Sequence, residues 1–266
     1  MIQNNLINFK NLNSKYKNYK KNETFEYIDN SKSIKITQNN QFFKYGIDSF
    51  LISDFFNSHS KIKKDMEKHN NIKLADMCSG TGIVSINTYS NLKNLYDSLS
   101  NHVFSCDCFE KQEYFYYLNL KNVIENCLNN FNVYNIDILN NDLTPFKNKY
   151  DYIIINPPYF SNNSNVISKI KEKEIAKFWS KDDYDNFFRN AYSLLKNYGE
   201  IYMISRTQNI FNIEEVAKKN KLKLKLLQFV SGSQNKSPKL FMCVFKKGAK
   251  EGFNILPNKC ITYSIE

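Results

Sequence analysis

Asn156-Pro157-Pro158-Tyr159-Phe160 sets an amide, two rigid imide links and two aromatic rings directly after an apolar run at residues 152–155. The run reads as a buried strand. Two prolines cannot continue it, because each lacks an N–H donor and fixes φ. Asn156 and Tyr159 therefore stand at a strand's C-terminal end, the edge where open parallel α/β sheets bind ligands. The Asn156 side-chain oxygen and the Pro157 carbonyl are acceptors. Pro158 stiffens the turn, Tyr159 offers a stacking face, and Phe160 is placed to close a pocket. Together they suit a planar substrate carrying an NH2 group. Such an amine is a weak nucleophile, since its lone pair is delocalised into the ring. Two acceptors at its N–H bonds hold it and favour a more pyramidal nitrogen.

A second constellation, Leu74-Ala-Asp76-Met-Cys78-Ser79-Gly80-Thr81-Gly82, runs from a strand into a helix. Gly80 and Gly82 allow a tight turn and close approach of a ligand to the backbone. A dinucleotide fingerprint places a third glycine where this chain has Ser85. Asp76, at the strand end, repels a pyrophosphate and suits an ammonium group. The next strand is expected to end at Asp107, where an acidic residue binds ribose hydroxyls in Rossmann-type sites. The third is expected to end at Asp137, placed to accept from an adenine amino group. Three carboxylates at adjacent strand ends, with the Cys78–Gly82 loop, fit S-adenosyl-L-methionine, which has a cationic amino acid part, a ribose and an adenine but no phosphate. No metal is called for: Cys106 and Cys108 share a strand face, but two sulfurs without a nearby His make a poor zinc site.

The elements that must position these groups alternate in type from residue 72 onward. Strands are expected at 72–77, 102–106, 132–136, 150–155 and 200–205, with helices at 83–89, 111–126, 184–196 and 213–220. This order predicts a doubly wound, mostly parallel sheet with helices on both faces. Residues 222–230 and 240–246 follow each other without a helix and should form an antiparallel pair. That is the class I methyltransferase (Rossmann-like) architecture, assigned to residues 41–266. Upstream, residues 42–56 read as a turn and then a helix with Asp48 or Ser49 as N-cap, and 57–71 as a surface connection or helix end. Residues 1–40 are polar and basic. They read as a mobile arm and a short strand at 33–37, fitting either a solvated tail or a contact with RNA.

Composition bounds the partners. The chain has 266 residues, 42% of them hydrophobic, enough for a core. It shows neither a membrane-length apolar run nor a secretory leader's apolar stretch, so a cytoplasmic protein is expected. Six cysteines without CxxC spacing, most of them inside apolar segments, read as buried reduced thiols. A net charge of +11 favours a polyanionic partner, nucleic acid ahead of membrane, although a general Lys/Asn bias accounts for part of it. Nothing in the sequence calls for an obligate protein partner.

The Asn-Pro-Pro-Tyr motif is that of amino-methyltransferases acting on adenine N6 or on a protein glutamine amide. With Phe160 it resembles the bacterial tRNA(Val) adenosine-37 N6-methyltransferase family. Gln41 to Phe56 is similar to that family's entry segment, Asp76 to Gly82 to its cofactor loop, and Ser231 to Gly248, with Ser237-Pro-Lys239 and Lys246-Lys247-Gly248, to its C-terminal signature. The resemblance covers roughly residues 35–260. It implies S-adenosyl-L-methionine as donor, with Asp48 and Asn156 joining the cofactor site, and the tRNA anticodon loop as partner. One segment departs: where the family has an Arg-His pair, this chain has Ala176-Lys177-Phe178-Trp179. Lys177 and Trp179 either replace the pair with charge and stacking, or Trp179 packs the core. Lys236, Lys239, Lys246 and Lys247 are candidate phosphate contacts, or ordinary lysine protection of an edge strand. Protein glutamine methyltransferases of the release-factor type share the motif but carry an N-terminal helical domain, for which the first 40 residues are too polar. A DNA methyltransferase would need a separate target-recognition region.

Overall fold

The computed structural model describes residues 2–29, 31–42, 44–68, 71–98, 103–158 and 179–261. Its centre is β3 (Asn71–Met77), flanked by β4 (Val103–Glu110) and β6 (Tyr150–Ile155); β5 (Phe131–Asn135) and β7 (Leu195–Arg206) lie outside these. All four pairings among these five strands are parallel. β9 (Leu240–Lys247) runs antiparallel to both β7 and β8 (Leu222–Ser231), giving the expected terminal hairpin. β10 (Asn254–Cys260), not foreseen from the sequence, adds to β8 in parallel at the sheet edge. Pro257 sits where the register shifts, the position an edge strand tolerates. The order β10-β8-β9-β7-β6-β3-β4-β5 is the class I methyltransferase fold with one extra edge strand.

Strand alternation sends the two halves of each apolar run to opposite faces. In β6, Tyr152 and Ile154 pack with α2 (Ile47–His59), α3 (Ile62–Lys68), α4 (Ile83–Ser98) and α5 (Glu113–Glu125). Ile153 and Ile155 pack with α6 (Lys181–Leu194) and α7 (Ile210–Lys219) on the other face. All three isoleucines are fully buried, each contributing about 1.5–3 kcal/mol. That commitment on both faces holds the strand carrying Asn156 in register. Cys106 and Cys108 share a face as alternation requires, Sγ atoms 3.9 Å apart; all six cysteines are free, but only Cys106, Cys108 and Cys243 are buried, and Cys127 is exposed.

Three sequence expectations change. The first 40 residues are not a free arm. α1 (Ile2–Lys15) packs on α5 and β5, with Asn5 buried and its Nδ2 donating to the Phe131 carbonyl at 3.2 Å. The antiparallel hairpin β1 (Glu23–Tyr27) and β2 (Lys35–Asn39) follows. Side-chain amides of α5 replace a third strand beside β2: Asn122 exchanges bonds with both the N–H and carbonyl of Thr37, and Asn126 does so with Lys35. Second, residues 57–71 include α3, anchored by buried Ile62 and Met66. Third, the N-cap of α2 is Gly46, so Asp48 and Ser49 lie inside the first turn.

Candidate active site

A cavity of about 390 Å³ opens at the C-terminal edge of the parallel strands, where the glycine loop, the end of β4, the segment after β5 and Asn156-Pro157-Pro158 meet. This is within the range of small-molecule sites. The loop leaves β3 through Cys78, Gly80 and Gly82, all at positive φ (61°, 53° and 84°). Gly80 is open: a Cβ there would touch nothing within 4 Å. Gly82 is closed, since a Cβ would come within 2.5 Å of Asn119 Oδ1. Asn119 in turn donates to Ser79 Oγ at 2.9 Å, fastening the loop to α5. Cys78, Ser79, Gly80 and Thr81 line the cavity, and Gly82 shapes the turn behind them.

The three expected carboxylates do not act alike. Asp137 lines the cavity. Partial burial raises its pKa, but hydrogen bonds from Asn140 and the Leu139 N–H, with the charge of Lys111, prevail and hold it below the usual carboxylate range. Asp76 does not line the cavity. It is fully buried under the loop, accepting the Ser85 N–H at 3.1 Å, and so pins the first turn of α4. Burial pushes its pKa up to about 7 against the Ser85 bonds, with Glu110 adding to the rise. Asp107 is displaced from its expected role. β4 continues to Glu110, so Asp107 lies inside the strand, buried, accepting from Tyr150 OH at 2.7 Å and Asn132 Nδ2 at 2.6 Å.

Glu110 takes the place expected of Asp107. It ends β4 and lines the cavity, accepting the Gly80 N–H at 2.9 Å and the Gln112 N–H at 2.8 Å. A carboxylate has about four acceptor positions, so two are left for hydroxyl groups. Burial raises its pKa, opposed by these backbone donors. The sequence signal was present: the strand alternation runs on through Phe109, whereas the expected strand stopped at the first charge.

On the opposite wall stand Tyr45, Asp48 and Ser49. Asp48 folds back toward Gly46, where a Cβ would meet its Oδ1 at 2.6 Å. Burial raises the Asp48 pKa, with its own backbone N–H and the charge of Arg206 opposing. Asn156 Nδ2 points to Ser49 Oγ at 3.4 Å, a long bond. Asn156 Oδ1 is buried and has no hydrogen-bond partner among the described residues. Trp179 packs on Tyr184 and Phe187, with ring centroids 5.3 and 5.4 Å away, and also lines the cavity. Tyr159, Phe160 and Lys177 lie outside the described residues.

The four lysines separate. Lys236 and Lys239 are exposed on the β8–β9 connection, which the Thr207 N–H, donating to the Lys239 carbonyl at 3.1 Å, ties to the cavity end of β7. Lys246 and Lys247 sit at the other end of the sheet, because β9 runs antiparallel to β7. Lys246 pairs with Glu200 at 2.6 Å. Lys247 Nζ donates to the Tyr192 and Leu195 carbonyls at 2.8 and 2.7 Å, capping the C-terminus of α6. Neither is placed to contact a substrate in the cavity.

The donor set tests a cofactor directly. Acceptors without a phosphate cradle (Glu110 and Asp137), an open glycine at position 80, and apolar walls from Phe109, Ile136, Ile138 and Leu139 fit S-adenosyl-L-methionine. The family model described as N-6 DNA Methylase matches residues 55–242, more than two thirds of the chain. The chain belongs to the N-6 DNA methylase family. It is thus a SAM-dependent methyltransferase with an N6-adenine methylase domain. No curated protein matches it. Among solved structures it is similar to TYW2 of M. jannaschii, solved in complex with AdoMet (TM-score 0.53, 15% identity, 85% of each chain). It is also similar to ribosomal protein L11 methylase from Lactobacillus delbrueckii subsp. bulgaricus (0.52, 11%, 79% of this chain and 83% of that one). A third is the methyltransferase subunit of a type I restriction-modification system from Streptococcus thermophilus (0.53, 16%, 81% and 47%). At these identities the likeness is one of fold. Among the described residues no helix is long and apolar enough to cross a membrane.

Proposed function

We propose that the protein methylates the N6 amine of an adenosine in tRNA, at adenosine-37 beside the anticodon of tRNA(Val). The observation that carries the amine is Asn156 Oδ1, a buried acceptor on a cavity-lining residue with no hydrogen-bond partner among the described residues. Leaving such an atom unpaired costs about 1–3 kcal/mol, which a substrate N–H donor offsets. When bound, S-adenosyl-L-methionine supplies an electrophilic methyl group on its sulfonium. Glu110 accepts from ribose hydroxyls and Asp137 from an adenine amine, while Asp48 closes the far side of the cofactor site. Asn156 Oδ1 and the Pro157 carbonyl hold the two N–H bonds of the substrate amine. They stabilise the positive charge that builds on its nitrogen until a proton leaves to water. Ser49 Oγ accepts from the Asn156 amide nitrogen, leaving the amide oxygen for the substrate. Pro158 fixes the turn, Trp179 offers a stacking surface, and Tyr159 with Phe160 is assigned to the base.

RNA as substrate is supported by the net charge of +11, by exposed Lys236 and Lys239 at the cavity end, and by the resemblance carried by Phe160 and the C-terminal segment. A base must leave its stack to reach such a cavity, which costs least in a loop. Adenine in DNA is the second reading, favoured by the description of the matching family model. The test is labelled S-adenosyl-L-methionine with total tRNA from a strain lacking the gene, alongside genomic DNA and a protein fraction, followed by nucleoside analysis. N6-methyladenosine in tRNA(Val) is expected. Label confined to DNA, or to a protein glutamine, overturns the proposal.

A further inference from the structure

The interface between α2 and α4 contains a polar seam. Ser49, Ser53 and Asn57 recur every four residues along α2 and so share one side of the helix. Ser53 Oγ accepts from Asn87 Nδ2 at 2.9 Å and Thr88 Oγ1 at 3.1 Å, both on α4. One end of the seam opens on the methyl-transfer cavity at Ser49. The other opens on a second cleft, lined by Asn57 and Asn91 together with Lys61, Lys63, Lys64 and, from β10, Lys259.

This second cleft has unused binding capacity. Both polar atoms of the Asn57 amide are buried and have no hydrogen-bond partner among the described residues. None of the four lysines forms an ion pair within 4 Å among those residues. Asp54 is the one carboxylate of the lining, leaving an excess of three positive charges (four lysines less one). The Ser58 and Ser60 side chains add hydroxyls. Lysines with hydroxyl and amide donors around an open cleft make a site for a phosphate group. Asn57 lies eight residues beyond Ser49, about 12 Å along the helix axis, so α2 sets a fixed distance between the two openings.

We propose that the Asn57–Lys61–Lys64–Lys259 cleft binds a backbone phosphate of the nucleic-acid substrate, with α2 spacing that contact from the amine held at Asn156. The inference rests on the RNA reading above and extends it to a second anchoring point. The test uses the full chain with Lys61→Gln/Lys64→Gln and, separately, Asn57→Ala, which removes no side-chain hydrogen bond among the described residues. RNA binding is measured over a series of salt concentrations, with turnover at saturating RNA and SAM affinity as controls. The expected result for the double variant is a Kd for RNA raised on the order of tenfold. The slope of log K against log salt should fall by about 0.7 for one lost single-strand phosphate contact. Saturated turnover and SAM affinity should not change. Wild-type-like RNA affinity and slope in both variants overturn the proposal. If the wild-type chain binds no RNA at all, the functional reading fails, and the cleft is then judged with pyrophosphate alone. A shift of the Asn57 amide resonances that the double variant loses overturns RNA as the source of the phosphate, and no shift overturns the site itself.

Discussion

Replacing Asn156 by Ala separates a role in catalysis from a role in folding. Its Oδ1 has no partner among the described residues, and its Nδ2 makes one long bond, 3.4 Å, to Ser49 Oγ. Truncation therefore removes almost no protein hydrogen bonding. It relieves an unpaired buried acceptor, worth about 1–3 kcal/mol. It also loses a few packed atoms, an opposing effect of similar size. Net stability should stay within about 1 kcal/mol of the parent. Catalysis should respond quite differently. If Oδ1 stabilises charge building on the amine, its loss resembles removal of one oxyanion-hole donor, roughly 10²–10³ in rate or 2.7–4 kcal/mol. Single-turnover methyl transfer, calorimetric SAM binding and urea unfolding report the three quantities separately. The expected pattern is a rate lower by two to three orders of magnitude with SAM affinity and unfolding midpoint nearly unchanged. Unchanged turnover would refute the acceptor role. A loss of activity matched by a loss of folded protein would refute the claim that the residue is energetically idle in the fold.

Other outcomes follow from the same geometry. Glu110→Gln should weaken SAM binding by about 1.5–3 kcal/mol, the worth of hydrogen bonds to a charged group, as read by equilibrium dialysis. Asp107→Ala should instead leave the Tyr150 hydroxyl unpaired and lower the unfolding midpoint, while folded protein keeps its SAM affinity. Asp76 has a raised folded-state pKa of about 7, so the unfolded chain loses this proton first as pH rises. Between pH 4 and 7 the wild-type chain should then lose up to roughly 4 kcal/mol of stability relative to Asp76→Asn. Parallel unfolding curves across that range would contradict the buried-carboxyl assignment. Lys247→Met should destabilise the chain by removing the cap on α6 and leave RNA affinity unaltered in filter binding. A specific loss of RNA binding would contradict its place at the far end of the sheet.

Local pattern was enough to place the strand that carries Asn156, because a run of isoleucines ending in two prolines has one sensible reading in a buried parallel sheet. The glycine loop and the closing antiparallel pair were legible for similar reasons: positive-φ turns call for glycine, and two strands without an intervening helix pair antiparallel. The polar N-terminal segment was misread because its partners lie far along the chain. Its few apolar residues, Phe9, Leu12, Ile34 and Ile36, join core clusters built from distant elements, and side-chain amides of α5, about 90 residues away, bond β2. Asp107 was misread because a buried carboxylate is tolerable only with donors such as Tyr150 and Asn132, which come from other strands. Lys246 and Lys247 lie close in sequence to the cavity-end Lys239, yet the direction of β9 carries them to the opposite end of the sheet. Sequence alone thus determined which chemical groups are available and the strand end on which the key amide stands, since local sterics and alternation fix both. Only tertiary structure decided which carboxylates and lysines face the cavity and which are consumed inside the fold, because that depends on strand length, strand direction and hydrogen-bond partners brought from far along the chain.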